Sequence, residues 1–230
     1  MPVVRPSLPL YGDTGIMPLP SGVVVTVQFW DARYRCEGFA YGDQPNDFLR
    51  EQAAAWSPGE AICLAEGEGR NAVHLAALGH RVTAQDLSAV GLEKARALAA
   101  RRGVALETLH GDLADWQPAP ESFDLVVAIW MHVPAELRAR VLQAAVSALR
   151  PGGVLLLEGY TPRQLGRNSG GPPSVALLME PEQLARELQR LRLEILRECL
   201  RSIHEGPYHQ GDSAVVQVLG RKPWAMPLCV

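Results

Sequence analysis

The sequence predicts an α/β fold: a doubly wound, Rossmann-like sheet of seven strands, mostly parallel, that finishes in an antiparallel hairpin. Three observations carry this. From residue 60 onward, short apolar runs alternate with helix-period segments over short connections, which is the pattern of a parallel sheet covered by helices. The first apolar run, Ala61-Ile62-Cys63-Leu64, passes through Gly67 and Gly69 into the helix-like Ala72, Val73, Leu75, Ala76 and Leu78. Nucleotide-binding sheets make their first strand-to-helix turn this way. The last two apolar runs have no helical pattern between them, so they must be antiparallel neighbours.

Residues 1–22 carry Pro2, Pro6, Pro9, Pro18 and Pro20 and read as the core of a disordered lead that extends to residue 27, with Met17 as an alternative start. Residues 28–56 bring Phe29, Trp30, Tyr34, Phe39, Tyr41 and Pro45-Asn46, and read as two helical pieces flanking a loop. Strands are expected at 60–65, 81–86, 104–109, 123–129, 153–158, 193–199 and 213–220, and helices at 70–79, 88–102, 135–149 and 181–190. Leu137, Val141, Leu142, Ala145, Val146 and Leu149 recur at helical spacing, so the 135–149 helix buries one face on the sheet before Pro151-Gly152-Gly153 stops it. The run Phe123 to Trp130 is almost wholly apolar, as expected of a central strand covered on both faces. Residues 28–222 form one domain and 223–230 a tail; the glycine–proline stretch Gly166 to Pro173 reads as a lid.

A chain of 230 residues, 47% apolar and 20% charged, has the balance of a single soluble globular domain. Its net charge of −3 without a basic cluster gives no nucleic-acid footprint. Cys36, Cys63, Cys199 and Cys229 are scattered with no C-x-x-C pair, which argues against a zinc site or a disulfide framework and fits a reducing, cytoplasmic setting. No apolar run approaches a membrane span, and Val23-Val24-Val25 is too short for a signal peptide core.

Two glycines let backbone N–H groups approach a ligand at a helix start. About twenty residues later the second strand ends in Asp86, placed to grip a ribose diol. Together they point to an adenosine-containing cofactor. Asp86 also reads as an N-cap for the helix near Ser88, Gly67 and Gly69 as an ordinary turn, and Asp112 as an exposed turn acid.

These residues resemble a class I S-adenosylmethionine (SAM) methyltransferase over roughly residues 28–222. The wording is similar to a bacterial subgroup near the tellurite-resistance-type and thiol methyltransferases. Trp30, Tyr34, Tyr41-Gly42 and Pro45-Asn46-Asp47-Phe48-Leu49 carry it first. Ala65-Glu66-Gly67-Glu68-Gly69-Arg70-Asn71, Asp86-Leu87-Ser88, Gly111-Asp112-Leu113, Phe123-Asp124-Leu125-Val126 and Pro151-Gly152-Gly153 follow. Glu158-Gly159-Tyr160-Thr161-Pro162, Gly170-Gly171-Pro172 and His204-Glu205-Gly206-Pro207-Tyr208-His209-Gln210-Gly211 complete it. The resemblance implies SAM as cofactor, with Glu66 and Asn71 near the methionine ammonium, Leu87, Asp112 and Leu113 around adenine, and Tyr34 and Tyr41 as a cover. Two departures stand out: the family's acid two residues before the first glycine would be Ala65, and its third glycine would be Asn71.

The far end of the fourth strand, Ala128 to His132, belongs beside the methionine part of SAM. Trp130 either covers a sulfonium or packs in the core. Glu158, Tyr160 and Thr161 leave the fifth strand at the edge where such sheets place substrates. The Ser202–Asp212 connection overhangs the same edge and brings His204, Glu205, Tyr208 and His209; it reads either as an acceptor-positioning segment or as a hairpin loop. His132, His204 and His209 are the base candidates, and Arg70 either meets an anion or is solvated. No metal is expected.

The expected activity is methyl transfer to a small-molecule acceptor, led by a thiol or a selenium or tellurium species. No nucleic-acid or membrane partner is expected, and a homodimer is compatible with the sequence. Two alternatives stay open: an NAD(P)-dependent oxidoreductase, because Gly67 to Ala72 also fits G-x-G-x-x-A, and a non-catalytic SAM-binding protein.

Overall fold

The structure, a computed structural model, describes residues 26–224. Its single sheet contains β1 (Glu60–Cys63), β2 (Arg81–Asp86), β3 (Glu107–His110), β4 (Phe123–Ile129), β5 (Leu149–Tyr160), β6 (Arg192–Glu205) and β7 (His209–Arg221). The strand order is β3-β2-β1-β4-β5-β7-β6. The pairs among β1 to β5 are parallel, and β7 inserts antiparallel between β5 and β6. This is the predicted doubly wound sheet with its closing hairpin.

Helices α1 (Val27–Tyr34), α2 (Asp47–Ala53), α3 (Arg70–Ala77), α4 (Ala89–Arg102), α5 (Ala135–Ala148) and α6 (Pro181–Glu187) cover it. Alternation along the central strands sends side chains into two cores. Ile62, Val126, Leu155 and Val218 face α5 and α6. Ala61, Cys63, Val82, Val127 and Leu156 face α2, α3 and α4, where Phe48, Leu49, Leu75 and Leu92 meet them. Both faces of β1 and β4 are therefore sealed, and the polar groups of these strands lie at their ends.

Several boundaries move. The expected lead to residue 27 yields at its end, because Thr26 caps α1 and Val27 opens it; residues 1–25 and 225–230 lie outside the described residues. The third strand starts at Glu107 rather than 104, and α6 stops at Glu187. The largest correction concerns Ser202–Asp212. It is a paired ladder running from Ser202↔Asp212 to Glu205↔His209, with the turn confined to residues 206–208. Apolar alternation fails to show it because a buried carboxylate, Glu205, occupies an inward position beside Ile203 while Ser202 and His204 point out. The expected Gly166–Pro173 lid is pinned: Ser169 Oγ lies 2.7 Å from Ser213 Oγ and receives the Gln164 amide at 2.8 Å.

Candidate functional site

The turn after β1 is built on three alternate left-handed residues, Ala65 (φ 50°), Gly67 (φ 63°) and Gly69 (φ 89°). It therefore starts at residue 65, one step earlier than the glycines alone suggest. In that register the position two residues ahead is Cys63, a fully buried thiol. Asn71 is not a third turn position but lies in α3, where its Oδ1 accepts the Asn46 N–H at 2.9 Å.

Glu66 folds back over the start of α3. Its Oε1 accepts the backbone N–H groups of Asn71 and Ala72, both at 2.8 Å. Gly69, the residue in the capping position, has no side chain to do this, so Glu66 takes up the orphan donors of the first turn. Burial pushes the Glu66 carboxyl up to about 7, against the lowering pull of the Ala72 N–H, Arg70 and the Asn71 N–H. Sequence reasoning placed Glu66 at an ammonium; its evident local role is this cap.

Asp86, at the end of β2, accepts Gly67 N–H at 2.8 Å on Oδ2 and Ser88 N–H at 2.7 Å on Oδ1. The cap of α4 is Ser88, which accepts from Gly91 N–H at 3.1 Å, so the N-cap reading of Asp86 falls. Burial raises Asp86 to about 6, opposed by the Ser88 and Gly67 N–H groups. Each of its oxygens carries one hydrogen bond from these N–H groups, and a carboxylate oxygen can accept another. That donor set fits a sugar diol. Gln85, missed in the sequence, ties the neighbouring turns together: it accepts Ala65 N–H at 3.2 Å and donates to Gly111 carbonyl at 2.6 Å.

Asp112 is exposed and caps a short 3-10 turn through Ala114 N–H at 2.8 Å. With Gln85, Gly111 and Trp116 it lines a groove of about 640 Å³. Leu113 is buried beneath, Leu87 carbonyl meets His110 Nε2 at 3.0 Å, and Ala128 is sealed inside β4. Over the turn lies α1. Tyr34 stacks on Trp30 at 5.6 Å, and a methyl group added to Gly67 would lie 2.5 Å from the Tyr34 hydroxyl. Tyr41 sits 6.4 Å from Tyr34 and receives Arg33 Nη1 at 3.1 Å. Glu68 fastens this segment by accepting Ala40 N–H at 2.7 Å and Lys94 Nζ at 2.8 Å.

The hairpin side is ionic. Glu205 receives Arg70 Nη2 and Trp130 Nε1, both at 2.7 Å, and Asn46 Nδ2 at 2.9 Å. Arg201 bridges Glu158 at 2.6 Å and Glu205 at 3.2 Å. Glu158 also accepts from Asn46 at 2.8 Å and Gln217 at 2.5 Å. Burial alone would raise Glu205, but Arg70 and His209 hold it well below the ordinary carboxylate range. Burial likewise opposes the charge on Arg201, yet Glu158 and Glu205 raise it further. Arg70 is thus neither solvated nor free for an anion. Asn46 entered the sequence reading only as part of a motif, and Arg201 and Gln217 not at all; Asn46 and Arg201 reach Glu158 across 112 and 43 residues and Gln217 across 59.

The three histidines separate. His132 is committed at both nitrogens, to Leu177 carbonyl at 2.9 Å and to Tyr160 N–H at 3.2 Å, and burial lowers it to about 4. It accepts a backbone donor where a base would need a free lone pair, so it is structural. His204 points outward from β6 toward Ser202 and Gln210, not over the pocket. His209 is buried, with its ring 4.6 Å from Tyr41, 5.0 Å from Trp130 and 5.3 Å from Tyr160. Trp130, which holds a left-handed backbone (φ 58°), stacks on Tyr160 at 4.4 Å. Glu158, Tyr160, Glu205, Trp130 and Tyr41 thus lie together at this end of the sheet. Among the described residues, no group of three metal-ligating side chains converges.

Residues 61–153 match the family model described as "Methyltransferase domain". The tRNA 5-carboxymethoxyuridine methyltransferase of Escherichia coli (strain K12) is 37% identical over 101 residues, which cover 41% of this chain and 37% of that protein. The chain thus spans well under half the length of that relative. A structure solved for the conversion of a disulfide bond into a thioacetal group during echinomycin biosynthesis superposes with a TM-score of 0.70 at 22% identity, covering 87% of this chain and 93% of that one. TehB from Haemophilus influenzae gives 0.64 at 16% identity, covering 85% and 66%.

Proposed function

We propose that this chain, whose residues 61–153 match a methyltransferase-domain model and lie in a seven-stranded sheet with a closing antiparallel hairpin, is a SAM-dependent enzyme that methylates a small molecule. One observation carries the reading: the left-handed turn at 65, 67 and 69 is bonded directly to Asp86, so a backbone cradle and a diol-binding acid form one rigid unit. Asp86 would hold the ribose, Leu87, Asp112 and Leu113 the adenine, and the turn with Glu66, Asn71 and Ala128 the methionine part, under Tyr34 and Tyr41. When bound, SAM supplies an activated methyl on a sulfonium, and the protein has to align the acceptor and exclude water. Trp130, Tyr160, His209 and Glu205 frame the acceptor side. The antiparallel β7 between β5 and β6 weighs against the dinucleotide oxidoreductase reading.

For the acceptor we favour a thiol or a reduced selenium or tellurium species. Buried aromatic walls suit soft, polarisable groups, and a net charge of −3 offers little to a polyanion. Calorimetry with SAM and with NAD tests the cofactor: micromolar binding of SAM and none of NAD is expected. Labelled SAM with thiols, selenide, telluride, alcohols, amines and bulk tRNA tests the acceptor. Turnover on tRNA alone would replace the small-molecule reading.

A further inference from the structure

We infer that the acceptor arrives with its proton, as a neutral thiol, and that His209, oriented by Glu205, removes this proton as the sulfur takes the methyl. The inference rests on the methyl-transfer reading above. A pre-ionised chalcogen anion needs no base, so a built base specifies the protic form.

The geometry singles out His209. His132 is tied at both nitrogens and His204 faces outward. His209 Nδ1 is buried, has no hydrogen-bond partner, and lies 3.7 Å from Glu205 Oε2. That is too long for a hydrogen bond, but it is a separation that closes when a ligand orders a site. A proton on Nδ1, facing the carboxylate, leaves Nε2 as the basic edge. Glu205 cannot drift, because Arg70, Trp130, Asn46 and Arg201 all hold it. A second buried polar atom without a partner, the Tyr160 hydroxyl, belongs to the same box. Gly170 roofs both: a methyl there would meet His209 Cδ2 at 2.7 Å and the Tyr160 hydroxyl at 2.8 Å. Tyr34 and Tyr41 form a continuous aromatic path from Gly67 to this ring.

The groups that set the proton affinity of His209 are Glu205 on β6, Arg70 on α3, Arg33 on α1 and His132 after β4, with the rings of Tyr41 and Tyr160 alongside. Burial lowers it most, and Glu205 partly restores it. The imidazole is therefore neutral and able to accept a proton at pH 7. In the step, the S–H bond breaks and its proton goes to Nε2. The new sulfur–carbon bond forms as the carbon–sulfonium bond breaks, and the sulfonium sulfur keeps that electron pair. The positive charge passes to the imidazolium, which releases the proton to water.

The test uses the full chain, SAM and a set of thiols of graded acidity. At saturating SAM, kcat of wild type should show an acid limb below the ordinary histidine value, and on a weakly acidic thiol it should level off above that limb instead of climbing toward the thiol's own pKa. His209→Gln should bind SAM with unchanged affinity by calorimetry, lose roughly 100-fold in kcat on weakly acidic thiols, lose the acid limb, and regain near wild-type rates on thiols already ionised at pH 7. Glu205→Gln should move the acid limb to lower pH. Equal rates and an unmoved pH profile in His209→Gln, with SAM bound, would overturn the inference. If the variant does not fold, a wild-type rate on one weakly acidic thiol that keeps rising tenfold per pH unit up to that thiol's own pKa overturns it equally. Absence of SAM binding by wild type sinks the methyl-transfer reading itself, a separate result.

Discussion

The glycine-turn half of the sheet and the hairpin half satisfy their polar groups in opposite ways. Around β1 and β2, carboxylates meet backbone N–H groups of the adjoining turns: Glu66 caps residues 71 and 72, and Asp86 accepts from Gly67 and Ser88. Around β5, β6 and β7, side chains meet side chains from distant segments, as in Asn46–Glu158, Arg70–Glu205 and Arg201–Glu158. On the proposed reading, a cofactor common to many proteins would be served by local backbone geometry, and a particular acceptor by a network that each sequence must assemble for itself.

Breaking the network should produce the largest effect. Arg70→Met leaves Glu205 buried without its main cation and should cost about 3–5 kcal/mol in urea unfolding. Neutralising both partners, Arg70→Met with Glu205→Gln, should recover a large part of that loss, because the unpaired buried charge disappears while an amide oxygen still accepts from Trp130 and Asn46. If the double variant is no more stable than the single one, the pair is not the stabilising unit of the hairpin half.

The next effect belongs to the turn half and is read by pH. Glu66 is raised from about 4.5 in the unfolded chain to about 7 in the folded one, chiefly by burial. Between those values the unfolded state gives up its proton while the folded state keeps it. Stability therefore falls as pH rises from about 4.5 to about 7, by roughly 3 kcal/mol for this group. Glu66→Gln should match wild type near pH 5 and exceed it near pH 8, read as the difference in melting temperature. SAM affinity should move the other way in wild type, rising between pH 5 and 8 as Asp86 and Glu66 ionise toward a diol and an ammonium.

The same contrast explains what could be read in advance. Gly67, Gly69, Asp86 and the strand alternation were legible because each is a local pattern with a backbone cause. The start of the turn at Ala65 was not, since alanine gives no sign of a left-handed conformation. The pairing of Ser202–Glu205 with His209–Asp212 was hidden because the inward residue is a carboxylate. Its partners, Asn46 and Arg70, lie 159 and 135 residues away. Nor does sequence separate His132 from His209; only the backbone donor and acceptor on either side of His132 do so.

A smaller effect tests the close approach at the turn. Gly67→Ala places a methyl 2.5 Å from the Tyr34 hydroxyl in a left-handed backbone. It should cost about 2 kcal/mol and weaken SAM binding at least tenfold by calorimetry. Because the nearest atom is the hydroxyl oxygen, adding Tyr34→Phe should restore part of the stability. The backbone penalty should remain.

The smallest effect has the opposite sign. Ala65 holds φ 50°, which costs an L-residue about 1–2 kcal/mol, while glycine there would add about 0.5–1 kcal/mol of unfolded-state entropy cost. Ala65→Gly should thus stabilise the chain by about 0.5–1 kcal/mol and raise its melting temperature by about 1–4 °C. The gain should be confined to the turn half, leaving the acid limb attributed to His209 unmoved. A loss of stability would mean that the Ala65 methyl, packed against the core that contains Leu64 and Val126, contributes more than its backbone strain takes away.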